Sequence, residues 1–270
     1  MTQRPTADDV DAKLARLYGP GVAEARGIIH ITAVWADPAH SDDPSARYRT
    51  IAINDAAPTS DCDFFALQAA RARADAIVTT GRNLRQEPEL SHAFQGPMAA
   101  ALADWRHKRL GKRHPARLLV LTSGRDVPLD HRALRAAGPA TIYTATKAID
   151  AIDALRAKQR ASDAAEFELV GAAAPSIHRA IDYLRAAHGC QTIVVEAGPS
   201  TARALYSADP VQVDELLLSV FHGPTLAERA RAGAFLSEAA LRARLPHRSP
   251  GAQVVEHGAP WCFWRYTRVP

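Results

Sequence analysis

Short apolar runs of strand length recur along this chain, and most are separated by stretches with helical spacing. Arg117–Leu121 (RLLVL) and Thr192–Val195 (TIVV) are apolar at nearly every position. A strand with one wet face alternates, whereas one covered on both faces does not. Gly27–Trp35, Thr141–Tyr143 and Phe167–Val170 read as further strands, and Asp75–Thr79 as a short one. Helices are expected at Ala148–Arg156, Ser176–Ala187 and Ser200–Ser207, between these runs. The alternation predicts an α/β fold with a mostly parallel central sheet flanked by helices.

The two ends of the chain read differently. Ala7–Leu17 reads as a helix, broken by Gly19-Pro20-Gly21. The expected loop Ala36–Ala46 is followed by a short strand at Tyr48–Ile53. Asp61–Ala74 has Thr59 or Ser60 to cap it and two aspartates in its first turn, where the helix dipole favours negative charge. A second helix is expected over Pro97–Leu110. Towards the end, Glu215–Phe221, Ala252–Glu256 and Cys262–Thr267 look like strands without good helices between them, which predicts antiparallel C-terminal strands. Residues 1–26 are expected to form an N-terminal helical extension and 27–270 a single domain.

Composition narrows the function classes. With 47% hydrophobic and 23% charged residues, the 270-residue chain can bury a full core and is not disordered. A formal charge of +4 is small for this size, so a nucleic-acid partner is not expected. The densest basic run, Arg106–Arg113 (RHKRLGKR), reads as a solvated loop, with a phosphate-facing patch as the alternative. Cys62, Cys190 and Cys262 lie far apart with no C-x-x-C pair, so free thiols are expected rather than a zinc site or disulfides. The first residues hold no apolar signal core, and no run approaches the ~18 apolar residues of a membrane span, so a cytoplasmic protein is expected. Ser123 and Ser200 have no evident His/Asp pair, so nucleophilic hydrolysis is not expected.

Three strand-to-loop junctions carry the functional signal: Ala76–Asn83, Leu118–Arg125 and Val194–Ser200. Each sets small, polar or basic residues just after an apolar strand, where open α/β sheets bind ligands. Gly198-Pro199-Ser200 opens a helix, and exposed backbone N–H groups at a helix start suit phosphate.

The order of these motifs resembles the dihydrofolate-reductase-like superfamily, and within it the C-terminal reductase domain of riboflavin biosynthesis. The residues that carry the resemblance are Ala70–Ile77 (ARARADAI), Thr80-Gly81-Arg82-Asn83, Glu87-Pro88-Glu89-Leu90, Val195–Ser200 (VEAGPS) and Val213–Leu216 (VDEL), with Trp264–Arg268 like the family's last strand. The resemblance implies an NADPH-dependent reductase, working as a homodimer, that sends hydride to a phosphorylated ribosyl-aminopyrimidine. It places Gly81, Arg82, Asn83, Thr122, Ser123, Gly198, Pro199 and Ser200 at the cofactor, with Arg82 and the two hydroxyls at the 2′-phosphate. It places Arg71, Leu90 and Glu196 at the substrate, with a surface arginine as the alternative for Arg71. Asp37 and Glu196 are its proton-transfer candidates. The chain departs from the pattern at Trp35 and Pro38, where the family has Ser and Gly, and at Ser91-His92-Ala93, where an arginine is expected. The cofactor side is therefore better kept than the substrate side. A pterin reductase and a non-catalytic NADP(H)-binding protein remain as the other readings.

Overall fold

Successive residues of the central strands point to opposite faces of the sheet, and here both faces are dry. In β1 (Gly27–Trp35), Ile29 and Ile31 join one buried cluster while Ile28 and Val34 join the other. After β2 (Arg47–Ile51) and α2 (Asp61–Arg73), β3 (Ala76–Thr80) splits alike, Ile77 against Val78. So does β4 (Arg117–Leu121), Leu118 and Val120 against Leu119. Burying each Leu or Ile side chain contributes roughly 1.5–3 kcal/mol, and this is why these runs carry almost no polar side chains. The computed structural model describes residues 4–40, 43, 45–125, 127–136, 138–158 and 165–269.

Helices cover both faces. The first cluster takes α1 (Ala7–Tyr18), whose Val10, Leu14 and Leu17 are buried, together with α2, α4 (Ala99–Asp104), α5 (Arg132–Ala136) and α6 (Ile149–Lys158). The short α3 (Gly81–Gln86) follows β3 directly. β5 (Ala140–Ala145) and β6 (Phe167–Ala172) complete one edge of the sheet. The second cluster takes α7 (Ile177–His188), and then, around β7 (Thr192–Val195), α8 (Pro199–Ser207) and α9 (Glu238–Arg244). The chain ends with β8 (Glu215–Phe221), β9 (Arg231–Ser237), β10 (His247–Arg248), β11 (Ala252–Glu256) and β12 (Ala259–Thr267). Among the described residues no helix is long and apolar enough to cross a membrane.

The strand order is β10-β12-β8-β1-β7-β3-β4-β5-β6. From β8 to β6 every pairing is parallel, while β12 joins β8 antiparallel and carries β10 and β11. This is the expected mostly parallel sheet with antiparallel C-terminal strands.

The differences have local causes. A helix, α9, does lie among the terminal strands; Ser237 caps it by accepting from Ala240 N at 3.2 Å. β9 pairs with β2 through two register shifts, so its sequence shows no clean alternation. The expected helix over 97–110 is α4 followed by a π-helical turn, Trp105–Arg109. The expected loop at 36–46 contains a 3-10 turn, Pro38–His40, and its residues 41, 42 and 44 lie outside the described residues. The basic run is not simply a solvated loop. Arg106 is buried and donates to the carbonyls of Ala72 and Ala74, both at 2.7 Å. It thereby satisfies orphan carbonyls where α2 ends. Lys112 pairs with Asp75, whose carboxylate also accepts from Gln191 N and Thr192 N and so fastens β3 to β7.

Candidate functional site

Because β7, β3 and β4 are parallel neighbours, their three following loops emerge side by side at one sheet edge. Asp37 follows β1, the strand on the other side of β7. A single edge thus gathers Asp37, Glu196, Gly81 and Thr122 from four adjacent strands.

The floor of this edge is an ion pair. α2 turns Arg71 inward, and its side chain is only 5% exposed. The surface alternative for this arginine is therefore wrong. Its Nε and Nη2 donate to the two carboxylate oxygens of Glu196, each at 2.7 Å, and Nη1 donates to the Ser91 carbonyl at 3.0 Å. Burial acts to raise the Glu196 pKa, but the Arg71 charge and hydrogen bonds, helped by His92, hold the carboxyl well below the usual range. Glu196 is thus a carboxylate at neutral pH.

Two further groups stand here that the sequence analysis did not place in the site. The Glu87 carboxyl is pushed up to about 7, first by burial and then by the charge of Glu196, with Arg71 opposing. Its turn is held by buried His131: Ala133 N–H donates to Nδ1 at 3.1 Å, so Nε2 carries the proton and donates to the Glu87 carbonyl at 3.0 Å. His92 has a side chain 5% exposed, with Nε2 3.7 Å from Glu196 Oε2. The Glu-Pro motif signals Glu87; the departure from the pattern at Ser91-His92-Ala93 marks the position of His92 but not its approach to Glu196.

On the other side, Thr80 caps α3 by accepting from Asn83 N at 3.2 Å. Asn83 turns to the neighbouring junction, its Nδ2 donating to the Glu196 carbonyl at 3.0 Å. Gly81 faces the Thr122 side chain so closely that a Cβ would lie 2.9 Å from Oγ1. Thr122 is buried and its Oγ1 accepts from Gly124 N at 3.1 Å, whereas Ser123 is exposed. Arg82 is exposed and has no hydrogen bond or ion pair among the described residues. Gly198 caps α8 with φ −59°, Pro199 follows at the first helical position, and no side chain caps the helix start. A Cβ on Gly198 would meet nothing nearer than Asn83 Oδ1 at 3.9 Å, so the space before the helix is open.

The remaining expected residues are placed more loosely. Asp37 is half-buried, and its Oδ1 accepts from Ala39 N at 3.0 Å. Trp35, standing for the family's serine, donates from its indole to the Gly223 carbonyl at 3.0 Å, and Arg231 lies over its ring. Leu90 is half-buried and its N donates to the Glu87 carbonyl at 2.9 Å.

Comparison with known proteins bears on the family and the fold. The RibD C-terminal domain family model matches residues 44–226. No curated protein matches the chain in sequence. Among solved structures, a pyrimidine reductase-like protein of Corynebacterium diphtheriae has a TM-score of 0.60 at 15% identity, covering 94% of this chain and 98% of its own. Riboflavin biosynthesis reductase Rib7 of Saccharomyces cerevisiae has a TM-score of 0.50 at 12% identity, covering 96% and 99%. RibD of Acinetobacter baumannii has 0.51 at 13% identity over 90% of this chain, which spans 58% of that protein. At these identities the structures carry the fold, and the match over 44–226 carries the family: the chain belongs to the RibD C-terminal domain family.

Proposed function

We propose that this protein is an NADPH-dependent reductase acting on a phosphorylated ribosyl-aminopyrimidine or a related heterocycle. Family membership supports the coarse class, a riboflavin-type pyrimidine reductase and hence an oxidoreductase. The observation that carries the finer reading is the delivery of the three matching loops to one edge by the adjacent strands β7, β3 and β4.

The residues fit a dinucleotide phosphate. The start of α8 has no side-chain cap and has open space before it, which suits a pyrophosphate at Gly198, Pro199 and Ser200. Unpaired Arg82 and exposed Ser123, beside Thr122, would hold the 2′-phosphate, since a guanidinium forms strong charge-assisted bonds to phosphate. Asn83 braces the loops rather than reaching freely for the cofactor. When bound, NADPH supplies the hydride; the protein aligns the two reactants and excludes water.

On the substrate side, Arg71 orients Glu196 as a carboxylate. A carboxylate accepts hydrogen bonds from a pyrimidine or pterin edge and does not donate a proton, so Glu196 acts in positioning. Asp37, which follows the adjacent strand β1, is the other proton-transfer candidate. The homodimer and the cytoplasmic location belong to the same reading.

NADPH oxidation by the purified protein against the phosphorylated ribosyl-aminopyrimidine and a panel of pterins tests the proposal. Turnover of the pyrimidine supports it, and turnover of a pterin alone redirects it. NADPH binding without turnover of any acceptor favours a non-catalytic NADP(H)-binding protein.

A further inference from the structure

The parallel strands that deliver the site loops at one edge all begin at the opposite edge. β1, β7, β3 and β4 start side by side: Gly27 pairs with Thr192, and Ala76 with Ile193 and Arg117. A cleft of about 1030 Å³ opens at these starts. At about 3.3 Å per strand residue, the length of β4 sets it on the order of 15 Å from Thr122. Seven of the described residues that line it are Arg or Lys, and two, Glu24 and Asp75, carry the opposite charge.

Four of these cations pair with carboxylates, among them Lys112 with Asp75 and Arg109 with Asp11. The other three do not. Buried Arg106 is held by main-chain carbonyls and keeps its charge. Arg26 is exposed and donates to the neutral Gln191 Oε1 at 3.1 Å. Arg113 is exposed and has no hydrogen bond or ion pair among the described residues. Asp75 is engaged by Lys112 and by the N–H groups of Gln191 and Thr192, which leaves Glu24 to oppose the three. A concave surface lined by one sign of charge focuses its field and concentrates counter-ions. The fold uses Arg106 and Lys112 to fasten α2 and β3; it makes no such use of Arg113.

We propose that this cleft is a second binding site, for a compact ligand that carries a chain of phosphates. Arg26 and Arg113 contact the phosphates, since the guanidinium fork matches their oxygens. Arg106 adds its charge from within the fold. Three unmatched cations suit a ligand of two or three phosphates. A concave pocket of this size suits a small molecule rather than an extended nucleic acid. Inorganic polyphosphate and the triphosphate of a nucleotide share this chemistry. The site is separate from the cofactor edge and does not depend on the reductase reading.

The test titrates the protein at low salt with inorganic triphosphate, with ATP and with a short single-stranded RNA. Triphosphate is expected to bind, to weaken as salt rises, and to shift the amide resonances of Gly111, Gly189 and Thr192. Arg26→Ala/Arg113→Ala removes two charge-assisted contacts and is expected to weaken it at least about tenfold. Both side chains are exposed, so Tm is expected to stay at the wild-type value. Arg82→Ala, at the other edge, is expected to leave triphosphate binding unchanged. ATP that binds no more tightly than triphosphate assigns the site to the phosphate chain alone; tighter ATP assigns it to a nucleotide. A wild-type protein that does not bind triphosphate overturns the proposal. Binding lost in Arg82→Ala but kept in the double variant places the anion at the cofactor edge and overturns it equally. RNA that binds through the same two arginines and that triphosphate does not displace would make the cleft part of a nucleic-acid surface and overturn the compact ligand.

Discussion

Arg71 and Glu196, 125 residues apart, form a bidentate buried ion pair that joins α2 to the loop after β7. Breaking such a pair by removing one partner leaves an uncompensated buried charge and costs roughly 3–5 kcal/mol. Arg71→Met is therefore expected to destabilise the fold by about that much, besides any effect on substrate use. The double variant Arg71→Met/Glu196→Leu is expected to recover most of the loss. Urea unfolding of Arg71→Met, Glu196→Leu and the double variant checks this; additive single-variant effects would mean that the pair contributes no coupling.

NADPH is expected to raise Tm well above any shift by NADH. Ligand at ~100 times its Kd adds about 2.7 kcal/mol. Arg82→Ala removes the unpaired guanidinium and is expected to cut the preference for NADPH by about 10–100-fold, the equivalent of losing roughly 1.5–3 kcal/mol of charge-assisted bonding. Titration of both nucleotides against both proteins measures it. Equal affinities in the wild type would remove the 2′-phosphate assignment.

Gly198 offers a cleaner separation of ligand from fold. Its φ of −59° is open to any residue, and an added Cβ meets nothing closer than 3.9 Å. Gly198→Val is thus expected to change stability by no more than about 1 kcal/mol while lowering NADPH affinity at least tenfold. Denaturant unfolding and NADPH titration together decide it. Tight binding by the folded variant would move the pyrophosphate elsewhere.

Gly124 is the opposite case. It has φ +90°, and a Cβ there would come within 2.2 Å of Ala148 Cβ. Gly124→Ala is expected to cost upward of about 2 kcal/mol, combining a left-handed backbone with overpacking. A midpoint in urea equal to that of wild type would show that the turn relaxes freely.

Glu87 gives a pH signature. Its folded carboxyl sits at about 7, against ~4.3 for a free glutamate. Between these values the native state binds more protons than the unfolded state, so stability falls as pH rises through that window. Glu87→Gln is expected to flatten the slope between about pH 4.5 and 7 in unfolding series. An unchanged slope would place its origin in another group.

The sheet is legible in the sequence because strands covered on both faces cannot hide their composition: RLLVL and TIVV have one structural use. β9 is not legible, since Gly233 and a bulged pairing with β2 leave no period to detect. The site divides the same way. Junction glycines announce themselves by type, and Arg71 and Glu196 each stand at a recognisable place. That they bind one another depends on the helix α2 rolling its arginines inward, which a helix with buried cations conceals from any apolar periodicity. The approach of His92 to Glu196 follows from packing alone.

Arg71 also reaches the Ser91 main-chain carbonyl. Every amino acid carries that acceptor, so this hydrogen bond does not depend on which side chain stands at position 91. Evolution can then rewrite the segment around it, and with it the shape offered to an acceptor molecule, without loosening the loop from the sheet. A scaffold of this kind changes its diet while keeping its hydride source.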